Sequence, residues 1–352
     1  MSHLFPYRWK LADGYPAKGI THHGRKVFGT FICGGGSTMG YKLAGYDHLG
    51  GVEIDPKVAA VYKANHKPKH LYVEDIRAFN ERTDLPAELF SLDLLDGSPP
   101  CSSFSMAGSR EKGWGKEKVF REGQAHQRLD DLVFTYVETI AKLRPKVAIL
   151  ENVKGLLAGN AKAYAKEIVQ RLRGHGYTVQ VFLLNAATMG VPQMRERCFF
   201  IARQDASWPN LVLKFEEPPI PFGRVKSSEH GEPISGKMLS LWNAMSGREA
   251  DLGEVCLRMT GKQNYFGSKV QYDDEVSNTI VASSSSPLLH RSKPYHISAC
   301  EACSIGTYPQ DYAFGHMEAK YLIGMSVPPV MTAQIAHQIN VQWFSNQPPK
   351  QP

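Results

Sequence analysis

Three short stretches hold residue types that could do chemistry together. The first is Gly97-Ser98-Pro99-Pro100-Cys101, which follows an apolar run at Leu92, Leu94 and Leu95. The two prolines fix their own φ angles, so the corner is stiff and Cys101 has a set position. A thiol there can act as a nucleophile once it is ionised, which calls for positive neighbours. The second stretch, Glu151-Asn152-Val153, follows another apolar run, Val147 to Leu150, and supplies a carboxyl group for acid–base work. The third, Gln193-x-Arg195-x-Arg197, supplies two guanidinium groups two residues apart. A lone cysteine is more often a small buried hydrophobe than a nucleophile. The case for Cys101 therefore rests on its company.

These side chains need elements to hold them. Short apolar runs bounded by turn residues read as strands buried on both faces, the habit of a parallel sheet. The expected strands are Val27 to Cys33, Gly51 to Asp55, Leu71 to Val73, Leu92 to Leu95, Val147 to Leu150, Thr178 to Leu184 and Cys198 to Ala202. Helical patterns intervene after Gly40, at Pro56 to Asn65, at Leu129 to Leu143 and at Ala161 to Arg173. The alternation predicts an α/β fold, a Rossmann-like doubly wound and mostly parallel sheet. Cys101 and Glu151 then fall at the same carboxyl rim, where such sheets bind ligands.

The first strand leads into Gly34-Gly35-Gly36, a loop that lets backbone approach a ligand ahead of a helix N-terminus. Glu53, at the end of the second strand, can accept hydrogen bonds from ribose hydroxyls. Asp75 can accept from an adenine amino group while Ile76 lies against the ring. The stretch from Ser102 to Gln127 is rich in glycine and charge. Residues 109–128 hold six Lys/Arg against three Glu, a composition suited equally to a lid, a nucleic-acid clamp or a solvated loop.

The 352-residue chain has 42% hydrophobic and 21% charged residues, as a globular protein does, and a formal net charge of +7 that favours a polyanionic partner. No apolar run reaches membrane-spanning length, and residues 1–26 lack a signal-peptide core, so an intracellular, cytoplasmic protein is expected. Six scattered cysteines give no disulfide framework and no paired zinc spacing, so no metal site is expected. Residues 204–299 break the βα rhythm. They carry 10 Lys/Arg against 11 Asp/Glu, so the excess positive charge lies in the first domain. An apolar helical pattern returns in Met331 to Phe344, and residues 347–352 read as a disordered tail.

Taken in order, the Phe31 to Gly40 loop, Glu53, Asp75, Pro100-Cys101, Glu151-Asn152-Val153, Gln193-x-Arg195-x-Arg197 and Ile323-Gly324-Met325-Ser326-Val327-Pro328 resemble the motif series of the DNA cytosine-5 methyltransferases. The likeness spans roughly 26–203 and 296–344. It implies transfer of a methyl group from S-adenosyl-L-methionine, leaving S-adenosyl-L-homocysteine, to C5 of a flipped-out cytosine in double-stranded DNA. Cys101 would add to C6 of the base. Glu151 would serve N3 and the 4-amino group. Arg195 and Arg197 would favour the thiolate, and Arg195 would hold O2. The cofactor would lie on Phe31, Cys33, Gly34, Gly35, Gly36, Glu53, Ile54, Asp75, Ile76, Pro99, Leu132, Met325 and Ser326. The resemblance also implies a catalytic and cofactor-binding domain at 1–203, a target-recognition domain at 204–299 and a segment, 300–352, returning to the catalytic domain. A monomer is expected, with a cognate restriction endonuclease as a possible partner and a bacterial or phage origin. Three positions depart from the family pattern: Cys33 replaces a glycine, Ser102 a glutamine and Met325 an asparagine.

Ser98-Pro99-Pro100 also fits three of the four places in the motif of amine methyltransferases. Those use an aromatic residue, not a thiol, in the fourth. A tRNA-methylating branch of the same family and a non-catalytic DNA-binding module are further alternatives. The long insert at 204–299 favours DNA as substrate, and the filled catalytic positions disfavour a module without activity.

Overall fold

The computed structural model describes residues 3–100 and 131–345. Cys101, the Ser102 to Gln127 stretch and the 347–352 tail therefore lie outside the described residues. The described chain divides into two compact units. One is formed from Tyr15–Asn185, Glu196–Lys214 and Thr332–Pro352, the other from Met1–Gly14, Ala186–Arg195 and Phe215–Met331.

The first unit is built on a seven-stranded sheet. Its elements in chain order are β1 (Lys26–Thr30), α1 (Gly36–Leu43), β2 (Asp47–Val52), α2 (Pro56–His66), β3 (His70–Tyr72), α3 (Ile76–Glu81), β4 (Leu94–Gly97), α4 (Leu132–Leu143), β5 (Val147–Val153), α5 (Lys162–Gly174), β6 (Thr178–Asn185) and β7 (Glu196–Arg203). The strand order is β3-β2-β1-β4-β5-β7-β6. Neighbours from β3 to β5 pair in parallel, and β7 runs antiparallel between β5 and β6. This is the expected doubly wound, mostly parallel sheet, with the order reversing between β1 and β4.

Its core follows from the sequence pattern. All four residues of β4 are buried, as strands covered on both faces must be. Phe28, Leu95, Leu150, Tyr136, Val137 and Ile140 belong to one apolar cluster between the sheet and its helices. Helix starts are fixed by carboxylates in the sequence itself. Asp55 accepts from the Lys57 and Val58 amides with Pro56 in the first turn, and Asp75 accepts from the Arg77 amide.

Several element boundaries differ from the sequence reading, among them those of β1, β2 and α3. β1 stops at Thr30 because Phe31 and Cys33 take φ of 55° and 46°, which no strand tolerates. β2 begins at Asp47, and Glu53 follows the strand rather than ending it. Helix α3, which begins at Ile76 next to an expected site residue, is short and carries too little apolar periodicity to declare itself.

The second unit is less regular. It contains α6 (Gly236–Asn243), α7 (Leu252–Thr260), β8 (Lys269–Gln271), β9 (Leu288–His290), α8 (Ala299–Gly306) and α9 (Ala319–Met325). β8 and β9 form a two-stranded parallel sheet over a small core of Leu241, Leu252, Val255, Cys256, Val270 and Leu289. A buried pair joins β9 to α8: His290 Nε2 lies 3.0 Å from Glu301 Oε2, and Glu301 also closes a capping box with Ser298.

Candidate active site

The carboxyl ends of β1, β2, β4 and β5 gather most of the expected site residues of the sheet unit. After β1, the positive φ values at Phe31, Cys33 and Gly35 turn the chain sharply before α1. Position 35 admits only glycine, because a Cβ there would meet His66 Nε2 at 2.2 Å. The loop is pinned by Glu53, whose carboxylate accepts from the Cys33 amide (2.9 Å) and the Asp55 amide (3.0 Å). Burial pushes the Glu53 carboxyl up to about 6, against the pull of those amides.

Asp75 caps α3 and pairs with Arg77, with 3.1 Å between Oδ2 and Nη1. Arg77 also reaches Asp131, just ahead of α4. Ile76 and Leu132 are both buried in the main apolar cluster. A group with vicinal hydroxyls and a flat heteroaromatic ring fits this donor and acceptor set: carboxylates at Glu53 and Asp75, apolar surface at Ile76 and Leu132.

β4 and β5 hold the reactive rim. Glu151 is buried, and its Oε1 lies 3.0 Å from Arg197 Nε, an ion pair between the end of β5 and the start of β7. The pairing register places Arg197 opposite Val153, two residues beyond Glu151. Asn152 donates from Nδ2 to the Pro99 carbonyl at 3.2 Å, and its Oδ1 accepts from the Val153 amide. The backbone two residues before Cys101 is thus tied to β5.

The sequence reading assigns no role to Asp96, which follows Leu94-Leu95. In the structure it is the most perturbed carboxyl of the rim. Desolvation raises it to about 7, against hydrogen bonds from Tyr41 and Ser37 and with the charge of Glu151 adding to the rise. Tyr41 Oη donates to its Oδ1 at 2.9 Å. A carboxylate in the middle of a buried strand was the available signal.

The two arginines separate. Arg195 is 2% exposed, and its guanidinium donates to Gln193 Oε1 and to the carbonyls of Ile280, Gly324 and Ser326 at 2.8 to 3.3 Å. Gln193 in turn bonds the Ile305 carbonyl and the Ile280 amide. The four guanidinium bonds tie both Nη atoms of Arg195 to acceptors of the second unit, whereas the sequence reading gave this residue O2 of a base. Arg197 is the guanidinium beside Glu151. Met325 and Ser326 also lie in the second unit. Met325 is 40% exposed at the end of α9, and Ser326 Oγ is buried and accepts from Tyr308 Oη at 2.6 Å.

The model of the C-5 cytosine-specific DNA methylases matches residues 26–233. The chain belongs to that family. Among similar curated proteins, the type II methyltransferase M.DdeI of Desulfomicrobium norvegicum is 25% identical over 383 residues, covering 90% of this chain and 88% of that protein. M.NgoPII of Neisseria gonorrhoeae is 32% identical over 203 residues, 56% of this chain and 52% of its own length. A DNMT2 variant from Spodoptera frugiperda aligns over 90% of this chain and 99% of its own with a TM-score of 0.66 and 16% identity. The S. pombe Dnmt2 methyltransferase gives 0.59 and 16% over 92% and 100%. These last two show the shared fold. As a member of the cytosine-5 methylases, the chain is a DNA cytosine-5-methyltransferase, and the family's methyl donor is S-adenosyl-L-methionine. No helix among the described residues is long and apolar enough to cross a membrane.

Proposed function

We propose that this DNA cytosine-5-methyltransferase works by covalent catalysis on an extruded cytosine, with Cys101 as nucleophile and Glu151 and Arg197 as its electrostatic partners. The observation that carries this reading is the buried Glu151–Arg197 pair at the rim where Asn152 holds the Pro99 carbonyl. C5 of cytosine is a poor nucleophile, and C6 and C5 are unreachable inside a stacked duplex, so the base must leave the helix. Addition of the Cys101 thiolate to C6 makes C5 electron-rich and pushes negative charge toward N3 and O2. Glu151 gives a proton to N3 and accepts from the 4-amino group. Arg197 holds O2 and orients the Glu151 carboxyl. C5 then takes up the methyl group, and loss of the C5 proton to water, return of the N3 proton to Glu151 and departure of the thiolate restore the ring.

Glu53 would hold the ribose hydroxyls of S-adenosyl-L-methionine, Asp75, Ile76 and Leu132 its adenine, and the Phe31 to Gly36 loop with Ile54 and Pro99 the rest. When bound, that cofactor supplies an electrophilic methyl group. Residues 204–299 would read the target through the major groove, with 1–203 and 300–352 serving catalysis and cofactor binding. The type II names of the relatives support a partner restriction endonuclease whose sites the methylation protects.

The test is transfer of labelled methyl from the cofactor to duplex DNA, followed by digestion and mass analysis of the nucleosides. Label in 5-methyldeoxycytidine with wild type, and none with Cys101→Ser that still binds cofactor and DNA, is the expected result. Label on N4 of cytosine or N6 of adenine, or full activity of Cys101→Ser, overturns the reading.

A further inference from the structure

Four cations of the second unit are held in ion pairs. Lys226 pairs with Asp273 at 2.8 Å, Arg248 with Asp274 at 2.9 Å, Arg258 with Glu249 at 2.7 Å and Lys269 with Asp251 at 2.6 Å. Lys262, Gln263 and Asn264 stand outside that network. All three are exposed, and their side chains make no hydrogen bond or ion pair among the described residues. They close a run of eight consecutive exposed residues, 257–264.

The segment that presents these three residues is braced at both ends. Asp251 caps α7 through the Gly253 and Glu254 amides and takes the Lys269 ammonium. Helix α7 stops at Gly261, with φ of 67° and open space around its Cα, and the Gly261 amide returns to the Leu257 carbonyl. The Lys262 amide donates to Thr260 Oγ1, and the Asn264 amide to the Lys262 carbonyl. Tyr265 is held at φ of 66°, a strained value for a side chain of its size. Phe266 follows, lying so close to Gly253 that a Cβ there would meet its ring at 2.7 Å. Met259 and Phe266 add exposed apolar surface, at 55% and 44%. A short segment with its backbone fixed and its polar side chains unspent loses little entropy on binding.

We propose that Lys262, Gln263 and Asn264 read base edges of the duplex and so set which cytosines this enzyme methylates. Amide side chains match the paired acceptor and donor of adenine, and an ammonium matches the two acceptors of guanine in the major groove. Met259 and Phe266 offer apolar contact to a thymine methyl group. The inference rests on the cytosine-methylation reading above and names the side chains that carry its specificity.

The experiment uses the full chain with a duplex library whose bases around a fixed cytosine are randomised, read by bisulfite sequencing. Wild type is compared with Lys262→Ala, Gln263→Ala and Asn264→Ala, and with the near-isosteric Gln263→Glu and Asn264→Asp, which keep the test open if an alanine variant misfolds. Each variant is expected to lose roughly tenfold to hundredfold discrimination at one flanking position, the range of one good bidentate contact, while preferences elsewhere persist. An unchanged preference profile overturns the proposal. A uniform fall at every sequence also overturns it, because that marks a phosphate contact. Wild type that methylates no cytosine in the library contradicts the proposed reaction itself, a failure distinct from both.

Discussion

Asp96 offers a test in which the structure fixes both sign and size. Its carboxyl is fully desolvated within β4, where Tyr41 donates to it and Glu151 repels its charge. It is raised from an ordinary 3.8 to about 7 in the folded protein. A carboxyl raised on folding contributes stability that is complete below the unfolded value and is lost as pH climbs through the folded one. Over that interval, about three pH units at 1.36 kcal/mol each, the loss is about 4 kcal/mol. Asp96→Asn keeps an acceptor for Tyr41 and never ionises. The variant is therefore expected to gain about 4 kcal/mol relative to wild type between pH 4 and pH 8. Glu53, raised to about 6 by its own burial, titrates in both proteins and cancels from the difference. Urea unfolding followed by tryptophan fluorescence at half-unit pH steps measures it. At an m-value of about 3 kcal/mol/M the two midpoints should diverge by more than about 1 M across the range. Midpoint curves that run parallel from pH 4 to pH 8 would refute the reasoning.

The Glu151–Arg197 pair should behave as a unit. Arg197→Met removes the guanidinium from a buried carboxylate and is expected to cost about 3 kcal/mol, while combining it with Glu151→Gln recovers most of that; a double-mutant cycle in urea over Arg197→Met, Glu151→Gln and the pair that shows no coupling would contradict the pairing. All three variants are expected to lose methyl transfer, measured with labelled cofactor. Gly97→Ala should destabilise by about 3 kcal/mol, because its Cβ would stand 2.4 Å from the Tyr136 ring, and that buried tyrosine is held by its hydroxyl to the Leu95 and Ile149 carbonyls. A thermal midpoint within a degree of wild type would show that the ring can move.

The sheet was legible because its strands are short, apolar and buried on both faces, so Leu94, Leu95 and Val147 to Leu150 declare themselves without help from neighbours. The rim was legible for the same reason: Glu53 and Glu151 come directly after such runs. Arg195 was not legible. Two arginines spaced by one residue look interchangeable in a sequence, and only the fold reveals that one meets a set of carbonyls and the other a carboxylate. Asp96 was hidden by the opposite effect, a charge inside an apolar run whose partner, Tyr41, lies 55 residues away. Residues 204–299 read as irregular because α6, α7 and the β8–β9 pair are too short to show a period. The capping carboxylate at Asp251 and the capping serine at Ser298 were local signals there.

The central claim, a transient bond between Cys101 and C6 of cytosine, is tested most directly by trapping. Duplex DNA carrying 5-fluorocytosine at the target position, incubated with the enzyme and S-adenosyl-L-methionine, should yield an adduct that survives SDS, since fluorine at C5 cannot leave as a proton. Wild type is predicted to give that adduct and Cys101→Ser none. An adduct that persists in Cys101→Ser, or its absence from a wild-type enzyme that methylates the matching unmodified duplex, would contradict the account.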